Sequence, residues 1–209
     1  KLVYKTGSML STPLGESSLS TKRLDEFKKN IEKKLINRKR IIEIGCGNGV
    51  LLNEFQKKGY STLGFEIGPQ SETAKKKFNL KIFKKEFKSC LLKKKVDCIF
   101  SSGCLEHIID PLELLNESFK SLNDNGLFFA SVPNSDAHFK SGSIEELCFE
   151  HVNYFTPKNA VRFLQSNGFQ KCGYKLSKAR NELFFWGYKD KRKKKIDLSK
   201  DKEKIISEE

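Results

Sequence analysis

The residues with the clearest chemical meaning lie in the segment Glu43-Ile44-Gly45-Cys46-Gly47-Asn48-Gly49, where three glycines alternate with other residues. The apolar run before the glycines predicts a strand, and the amphipathic run after them predicts a helix. Glycine suits the turn between these elements because a Cβ would obstruct both the turn and the approach of a ligand. The segment therefore predicts a ligand held against bare backbone.

Two carboxylates accompany the glycines. Glu43 comes just before the turn, where its charge can hold a cationic group of the ligand. Glu66 ends the second predicted strand, 17 positions after Gly49, which suits a carboxylate that accepts both hydroxyls of a ribose. A dinucleotide fingerprint would place its third glycine at position 50, which is Val50. The spacing therefore disfavours a dinucleotide as the ligand.

These motifs resemble those of class I S-adenosylmethionine-dependent methyltransferases over about residues 40–190. The matching segments are EIGCGNG at Glu43–Gly49, GFEIG at Gly64–Gly68 and DCIFSSGCLEHI at Asp97–Ile108. The resemblance implies an α/β, Rossmann-like fold with a seven-stranded, mostly parallel sheet in the order 3-2-1-4-5-7-6. Strand 7 would be antiparallel, and helices would cover both faces. The implied cofactor is S-adenosylmethionine, with S-adenosylhomocysteine as its product.

The resemblance also assigns the cofactor contacts. Ile67 would pack on the adenine, and Glu86 or Phe87 would touch the edge of the base. The backbone around Ser101–Gly103 would line the methionine arm. The predicted cofactor-binding residues are Glu43, Gly45, Cys46, Gly47, Gly49, Glu66, Ile67, Glu86, Phe87, Ser101, Ser102 and Gly103.

Methyl transfer to a hydroxyl or an acidic carbon also requires a base that removes a proton. The segment Phe149–Pro157 resembles the E-H-x-x-Y-F-[ST] stretch of bacterial sugar C-methyltransferases and the related H-x-x-F-[FT]-P stretch of glycan and metabolite methyltransferases. By that resemblance Glu150 and His151 are acid/base groups, and Tyr154 lies in the substrate pocket. The alternative is that Glu150 pairs with a surface lysine and that Tyr154 and Phe155 belong to the core.

The leading base is His151 or Glu150, since side chains of adjacent residues diverge and only one of them should face the acceptor. His107 is the second candidate because it follows the fourth strand, at the edge where open α/β sheets bind ligands. Its alternative role is structural, as a histidine hydrogen-bonded to the loop beside the cofactor. No metal site with suitable spacing is predicted.

Two differences from known methyltransferase families restrict the choice of acceptor. The paired cysteines and the C-terminal domain of the sugar C-methyltransferases are not in this sequence, which favours a compact glycan-type or small-metabolite O-methyltransferase. Ser101–Cys104 replaces the N-P-P-Y motif of amide and adenine-amine methyltransferases. The predicted acceptor is therefore a small, polar, sugar-containing molecule. The alternatives are an RNA methyltransferase and a non-catalytic S-adenosylmethionine-binding scaffold protein.

Composition excludes some partners and leaves others open. The chain has 209 residues and a net charge of +14, carried mainly by lysines and concentrated towards both ends. Few arginines are available for planar phosphate and base contacts, so a nucleic-acid partner is not expected. No apolar run reaches the ~18 residues of a membrane-spanning helix. The six cysteines form no C-x-x-C pair, which fits a reducing cytoplasm. The oligomeric state stays open.

The apolar pattern divides the chain into three parts: a lid or loop with an amphipathic helix (1–39), a methyltransferase domain (40–189) and a charged, flexible tail (190–209). Long irregular sequence from 134 to 153 is a candidate substrate loop. Strands are predicted at Ile41–Ile44, Ser61–Phe65, Leu80–Phe83, Val96–Ser101, Gly126–Val132, Gln170–Leu176 and Glu182–Lys189. Helices are predicted at Lys22–Ile36, Val50–Lys58, Ser71–Phe78 and Glu86–Lys94, after Asp110-Pro111 and after Thr156-Pro157.

Overall fold

Strands and helices alternate along the first two thirds of the chain. The structure is a computed structural model that describes residues 17–142, 150–177, 181–190 and 206–208. Its strands are β1 Arg40–Ile44, β2 Ser61–Phe65, β3 Ile82–Phe83, β4 Val96–Ser102, β5 Leu122–Pro133, β6 Phe169–Leu176, β7 Glu182–Lys189 and β8 Ile206–Glu208. Its helices are α1 Ser18–Glu32, α2 Val50–Lys57, α3 Gln70–Phe78, α4 Pro111–Ser121, α5 Ser135–Lys140 and α6 Pro157–Ser166. Single 3₁₀ turns lie at Ser89–Leu91 and Leu105–His107.

The strands form one sheet in the order β3-β2-β1-β4-β5-β7-β6-β8. Strands β1 to β5 pair in parallel, whereas β7 is antiparallel to both β5 and β6. This arrangement confirms the predicted order and the antiparallel seventh strand. Strand β8 pairs in parallel with β6 and is an addition within the region predicted as a flexible tail. Residues 191–205 and 209 of that region lie outside the described residues.

Apolar side chains cover both faces of the sheet, as expected for parallel strands buried on two sides. On one face, α1, α2 and α3 pack on β1, β4 and β5 through residues such as Phe27, Phe55 and Phe100. On the other face, α4 and α6 pack on the same sheet around Ile42 and Phe128. The carboxyl ends of β1, β2 and β4 are therefore held at one edge by a rigid core.

Helix α1 belongs to this core. It begins with a capping box in which the side chains of Ser17 and Ser20 each accept the other's backbone N–H. Leu24, Phe27 and Ile31 are buried against the sheet, so the helix spans the edge near the glycine turn. It starts four residues earlier than the sequence pattern predicts. Residues 1–16 of the predicted lid lie outside the described residues.

One predicted helix is wrong. The segment 86–94 forms only the 3₁₀ turn at Ser89–Leu91, although Phe87, Cys90 and Leu91 recur at a helical spacing. The N–H and hydroxyl of Ser89 donate instead to the carboxylate of Glu117 in α4, which fixes the segment as a turn. Helix α4 is confirmed: the side chain of Asp110 accepts the N–H of Glu113 at 2.8 Å. The Glu113 carboxylate pairs with Lys88 rather than completing a capping box.

The predicted substrate loop contains a short helix, α5, and its residues 143–149 lie outside the described part of the chain. Among the described residues, no helix combines the length and the apolar character needed to cross a membrane.

Candidate functional site

The glycine turn between β1 and α2 adopts left-handed backbone at all three glycines. Gly45, Gly47 and Gly49 have φ angles of 70°, 48° and 75°, which favour glycine. A Cβ on Gly45 would lie 2.5 Å from the sulfur of Cys104, and one on Gly49 would lie 2.6 Å from Leu80. A Cβ on Gly47 would meet no atom within 4 Å. The outer two glycines therefore serve packing, and Gly47 leaves open space for a ligand.

The end of β2 places Glu66 beside this turn. Its carboxylate accepts the N–H of Gly47 at 2.9 Å and the N–H of Gly68 at 2.6 Å. The N–H of Gly45 in turn donates to the carbonyl of Phe65 at 2.8 Å. The predicted ribose carboxylate is thus fixed against the glycine turn, and each carboxylate oxygen keeps lone-pair capacity for hydroxyls.

Glu43 lies at the bottom of the site and is only 2% exposed. Its Oε2 has no hydrogen-bond partner in the described part of the chain. Burial, with a further contribution from the charge of Glu66, raises the pKa of Glu43 well above its ordinary value. A buried carboxyl of this kind is stabilised by a cationic partner, as the sequence analysis predicts for the amino group of the cofactor.

A cavity of about 280 Å³ connects these groups with the loops after β3 and β4. Most of the predicted site residues line it: Glu43, Gly45, Cys46, Gly47, Glu66, Ile67, Glu86, Phe87, Ser102, Gly103, His107 and Glu150. Gly49, Ser101, His151 and Tyr154 are not among its lining residues. The cavity therefore joins the predicted cofactor contacts to two of the predicted acid/base residues.

Arg23 of α1 also lines the cavity, although it is not among the predicted site residues. Its Nε donates to Glu182 of β7 at 2.9 Å. A Cβ on Gly103 would lie 2.5 Å from a terminal guanidinium nitrogen, so Arg23 sits on the backbone predicted to line the methionine arm. A single arginine in a lysine-rich amphipathic helix carries no sequence pattern that identifies such a role.

His107 lies at the other end of the cavity, in the 3₁₀ turn after β4. Its Nδ1 is 3.0 Å from the carbonyl oxygen of Glu150, and its ring centroid is 4.9 Å from that of His151. Burial lowers the pKa of His107, which favours the neutral imidazole. The structure therefore brings His107, Glu150 and His151 together. Because these residues come from two segments that are distant in the sequence, the sequence alone does not indicate this contact.

Glu106, beside His107, is a second residue that the sequence analysis missed. It is only 3% exposed, and its Oε2 has no hydrogen-bond partner among the described residues. Burial raises its pKa to about 7. Its Oε1 is 3.8 Å from Nε2 of His107, and one donor atom each of Glu106, His107 and His151 lie within 4.8 Å of one another. A cation could also bridge this spacing, although no metal site is predicted from the sequence.

The 3₁₀ turn Leu105–His107, which carries the proposed acid/base residue, is called the histidine turn. The segment after residue 149 holds it in place. The backbone N–H groups of Val152 and Asn153 donate to the carbonyl of Glu106 at 2.9 and 3.1 Å. The side chain of Asn153 donates to the carbonyls of Leu105 and Ile108 at 3.1 and 2.5 Å. Asn153 is not among the predicted site residues, because an amide that binds backbone carbonyls follows no recognisable spacing.

Tyr154 is 37% exposed and lies outside the cavity lining. Its ring centroid is 6.3 Å from that of Phe139 of α5. The neighbouring Phe155 is 5% exposed and belongs to the apolar core. The core assignment that the sequence left open thus applies to Phe155, whereas the pocket role of Tyr154 stays a prediction.

Comparison with known proteins agrees with this geometry. The family model described as "Methyltransferase domain" matches residues 18–172. A ubiquinone biosynthesis O-methyltransferase of Pelagibacter ubique is 32% identical over 117 residues, which cover 53% of this chain and 49% of that protein. Another from Aliivibrio fischeri is 22% identical over 153 residues, covering 65% of each. The chain thus spans about half to two thirds of these relatives.

Solved structures share the fold. Magnesium protoporphyrin IX methyltransferase from Synechocystis PCC 6803, with bound SAH, superposes with a TM-score of 0.64 at 12% identity, covering 87% of this chain and 90% of that one. An O-methyltransferase family protein from Burkholderia thailandensis gives 0.66 at 13% identity, covering 82% and 56%. With the family match over most of the chain, this protein belongs to the methyltransferase domain family and has the fold of its class I, S-adenosylmethionine-dependent members.

Proposed function

We propose that this protein transfers a methyl group from S-adenosylmethionine to a hydroxyl oxygen of a small molecule. The observation that carries the proposal is the continuity of one cavity from Gly47 and Glu66 to His107 and Glu150. A cofactor held at the glycine turn can therefore share an enclosed space with an acceptor at the histidine turn. Alignment of two reactants in one site is the main requirement of a methyl transfer.

The described residues fit the cofactor. The open space at Gly47 and the carboxylate of Glu66 suit a ribose, whose hydroxyls both donate hydrogen bonds. The buried, unpartnered Oε2 of Glu43 suits the ammonium of the methionine arm. Arg23 suits the carboxylate at the same end, because its guanidinium offers several donors. When bound, S-adenosylmethionine supplies an electrophilic methyl group on its sulfonium.

His107 is the residue that we assign as the base. Its Nδ1 faces a backbone carbonyl, the Glu150 oxygen at 3.0 Å, and a carbonyl only accepts hydrogen bonds. The proton of the neutral ring therefore resides on Nδ1, and Nε2 carries the lone pair that can accept the acceptor's proton. The sequence favours His151 or Glu150 as the base, with His107 as the second candidate. His107 and Glu150 line the cavity whereas His151 does not, and we assign His107 because its Nε2 carries the lone pair.

The residues that line the cavity indicate which kind of acceptor it can bind. Ile108, Ile109 and Leu114 line it near the histidine turn, which favours an acceptor with an apolar face beside its hydroxyl, such as a hydroxylated aromatic ring. The relatives named as O-methyltransferases support an oxygen acceptor. A sugar-containing acceptor, suggested by the resemblance of Phe149–Pro157, is the second candidate, and the carboxylates of Glu150 and Asp110 in the lining could bind its hydroxyls.

An acceptor screen with isotopically labelled S-adenosylmethionine tests the proposal. Hydroxylated aromatic acids, nucleotide sugars and bulk RNA are incubated separately with the protein, and the products are separated by mass spectrometry. We expect label on the oxygen of an aromatic hydroxyl, and Glu66→Ala should abolish it. Label on nucleotide sugars would favour the second candidate. Label on RNA alone, or cofactor binding without any labelled product, would overturn the proposal.

A further inference from the structure

Two hydrogen-bond acceptors face each other in the histidine turn. Nε2 of His107 carries a lone pair in the tautomer that the Glu150 carbonyl imposes, and it lies 3.8 Å from Oε1 of Glu106. The other oxygen of Glu106 is buried and has no hydrogen-bond partner within the described ranges. A buried carboxylate in this position is stabilised by a positive charge on the imidazole.

His151, from the segment after residue 149, lies beside Glu106 and His107. The ring of His151 is tilted against that of His107, with 4.9 Å between the centroids. One donor atom each of His151, His107 and Glu106 lie within 4.8 Å of one another. Three groups that can each accept a proton are thus in mutual reach, and His107 among them lines the cavity where the acceptor is proposed to bind.

We propose that Glu106 is a positioning residue for the base, holding the imidazolium that forms on His107 and passing its proton, with His151, away from the acceptor. This inference rests on the proposed function. The acceptor hydroxyl gives its proton to the lone pair of Nε2 while its oxygen forms a bond to the methyl carbon. The carbon–sulfur bond breaks, and its electron pair stays on sulfur.

The positive charge therefore moves from the sulfonium to the imidazole of His107. A carboxylate 3.8 Å away, on a side chain that is almost fully buried, is placed to stabilise that charge. Burial raises the pKa of Glu106 to about 7 and lowers that of His107, so the carboxylate is basic enough to accept a proton from the imidazolium.

Other charges surround the pair. Arg23 approaches from α1 and disfavours the imidazolium, but Arg23 is itself paired with Glu182 of β7 at 2.9 Å. Glu150, from the segment after residue 149, favours the charged ring. The carboxyl of Glu106 lies 3.8 Å from Nε2, and the Glu106→Gln variant isolates its effect on the imidazolium.

The test compares the wild type with Glu106→Gln, which keeps shape and removes the charge. Without the carboxylate the pKa of His107 falls, so the rising limb of kcat/KM against pH should move to lower pH. The plateau should drop on the order of tenfold or more, with the KM for cofactor unchanged. His151→Asn should lower kcat, and added imidazole should restore part of it. Glu72→Gln, an exposed carboxyl of α3, is the matched control and should change none of these values.

A readout that needs no turnover separates this inference from the proposed function. Proton NMR follows the titration of His107 in the wild type and in Glu106→Gln, with thermal unfolding as a check that the variant folds. A lower pKa of His107 in the variant is expected even if no acceptor hydroxyl is ever methylated. An unchanged pKa and an unshifted pH profile would overturn the inference. So would activity lost to a chelator and restored by a divalent cation, which would place a metal ion between Glu106 and His107.

Discussion

Gly47 donates its backbone N–H to the carboxylate of Glu66 across 2.9 Å, so one side chain joins the glycine turn to the end of β2. The second oxygen of the same carboxylate accepts the N–H of Gly68 at 2.6 Å. Glu66 is therefore a structural residue of the glycine turn as well as the proposed ligand of the ribose. Its loss should affect both the shape of the pocket and the affinity for cofactor.

Replacing Glu66 tests this double role. Glu66→Ala should weaken S-adenosylhomocysteine binding by about 100-fold or more, because two hydrogen bonds to a charged group, each worth about 1.5–3 kcal/mol, are lost. Glu66→Gln can still accept with its one amide oxygen and should lose less. Isothermal titration calorimetry measures both affinities. Equal binding by wild type and Glu66→Ala would show that the ribose lies elsewhere.

Substitution by alanine should have different effects at different glycines of the turn. Gly45→Ala puts its Cβ 2.5 Å from the buried sulfur of Cys104 and should lower the melting temperature by several degrees. Gly47→Ala meets no atom within 4 Å, so its cost to the fold is limited to strain at a φ of 48°, about 1 kcal/mol. Its Cβ enters the cavity and should abolish cofactor binding. The prediction fails if Gly47→Ala binds cofactor like the wild type.

Replacing Arg23 tests whether this residue binds the carboxylate of the cofactor's methionine arm. Arg23→Met keeps an unbranched apolar stem but removes the guanidinium that contacts the backbone of Gly103 and the carboxylate of Glu182. We expect the KM for S-adenosylmethionine to rise about tenfold or more, since one charge-assisted hydrogen bond is worth about 1.5–3 kcal/mol. Binding of adenosine, which has no carboxylate, should be unaffected. Equal losses for both ligands would contradict the assignment.

The cofactor half of the site was predictable because its requirements are local. A strand, a turn with left-handed glycines and a carboxylate at the end of the next strand follow from spacing alone, and Gly47 and Glu66 are confirmed as neighbours. The sheet order follows from the same resemblance. Helix boundaries were set well where capping residues such as Asp110 and Thr156 mark them.

The acceptor half was less predictable because it depends on contacts between distant segments. His107 and Glu150 are 43 positions apart, yet a hydrogen bond joins them. Glu106 reads in the sequence as one more acidic residue, and only its burial makes it chemically unusual. Arg23 comes from a helix whose amphipathic pattern shows that it packs on the sheet but not which site its end approaches.

Stability should depend on pH through Glu106. Its pKa is raised from 4.5 to about 7 by burial, so the contribution of its protonated form to stability is complete below pH 4.5 and is lost as the pH rises through 7. The buried charge then costs about 3 kcal/mol at most, at 1.36 kcal/mol per pH unit. Glu106→Gln should therefore gain stability relative to the wild type between pH 5 and pH 8. Urea unfolding at both pH values measures this, and an equal difference at both would refute it.

Asn153 should control turnover without touching the reactants. Its side chain donates to the carbonyls of Leu105 and Ile108 at 3.1 and 2.5 Å, on either side of the residues that carry the proposed base and its carboxyl. Asn153→Ala leaves both carbonyls without this donor, which should cost about 1–3 kcal/mol of stability. A looser histidine turn should lower kcat while the affinity for S-adenosylhomocysteine, set at the glycine turn, stays the same.

Asn123→Ala is the matched control for this prediction. Asn123 also donates from its side-chain nitrogen, to Asp97 at 2.6 Å, but it does so where β4 and β5 begin, away from the cavity. Both variants should unfold at lower urea concentrations than the wild type, and only Asn153→Ala should lose turnover measured where both are fully folded. If the two variants lose kcat equally, general loosening of the fold accounts for the effect. If neither does, the histidine turn keeps its geometry without the amide, and the base does not depend on that segment.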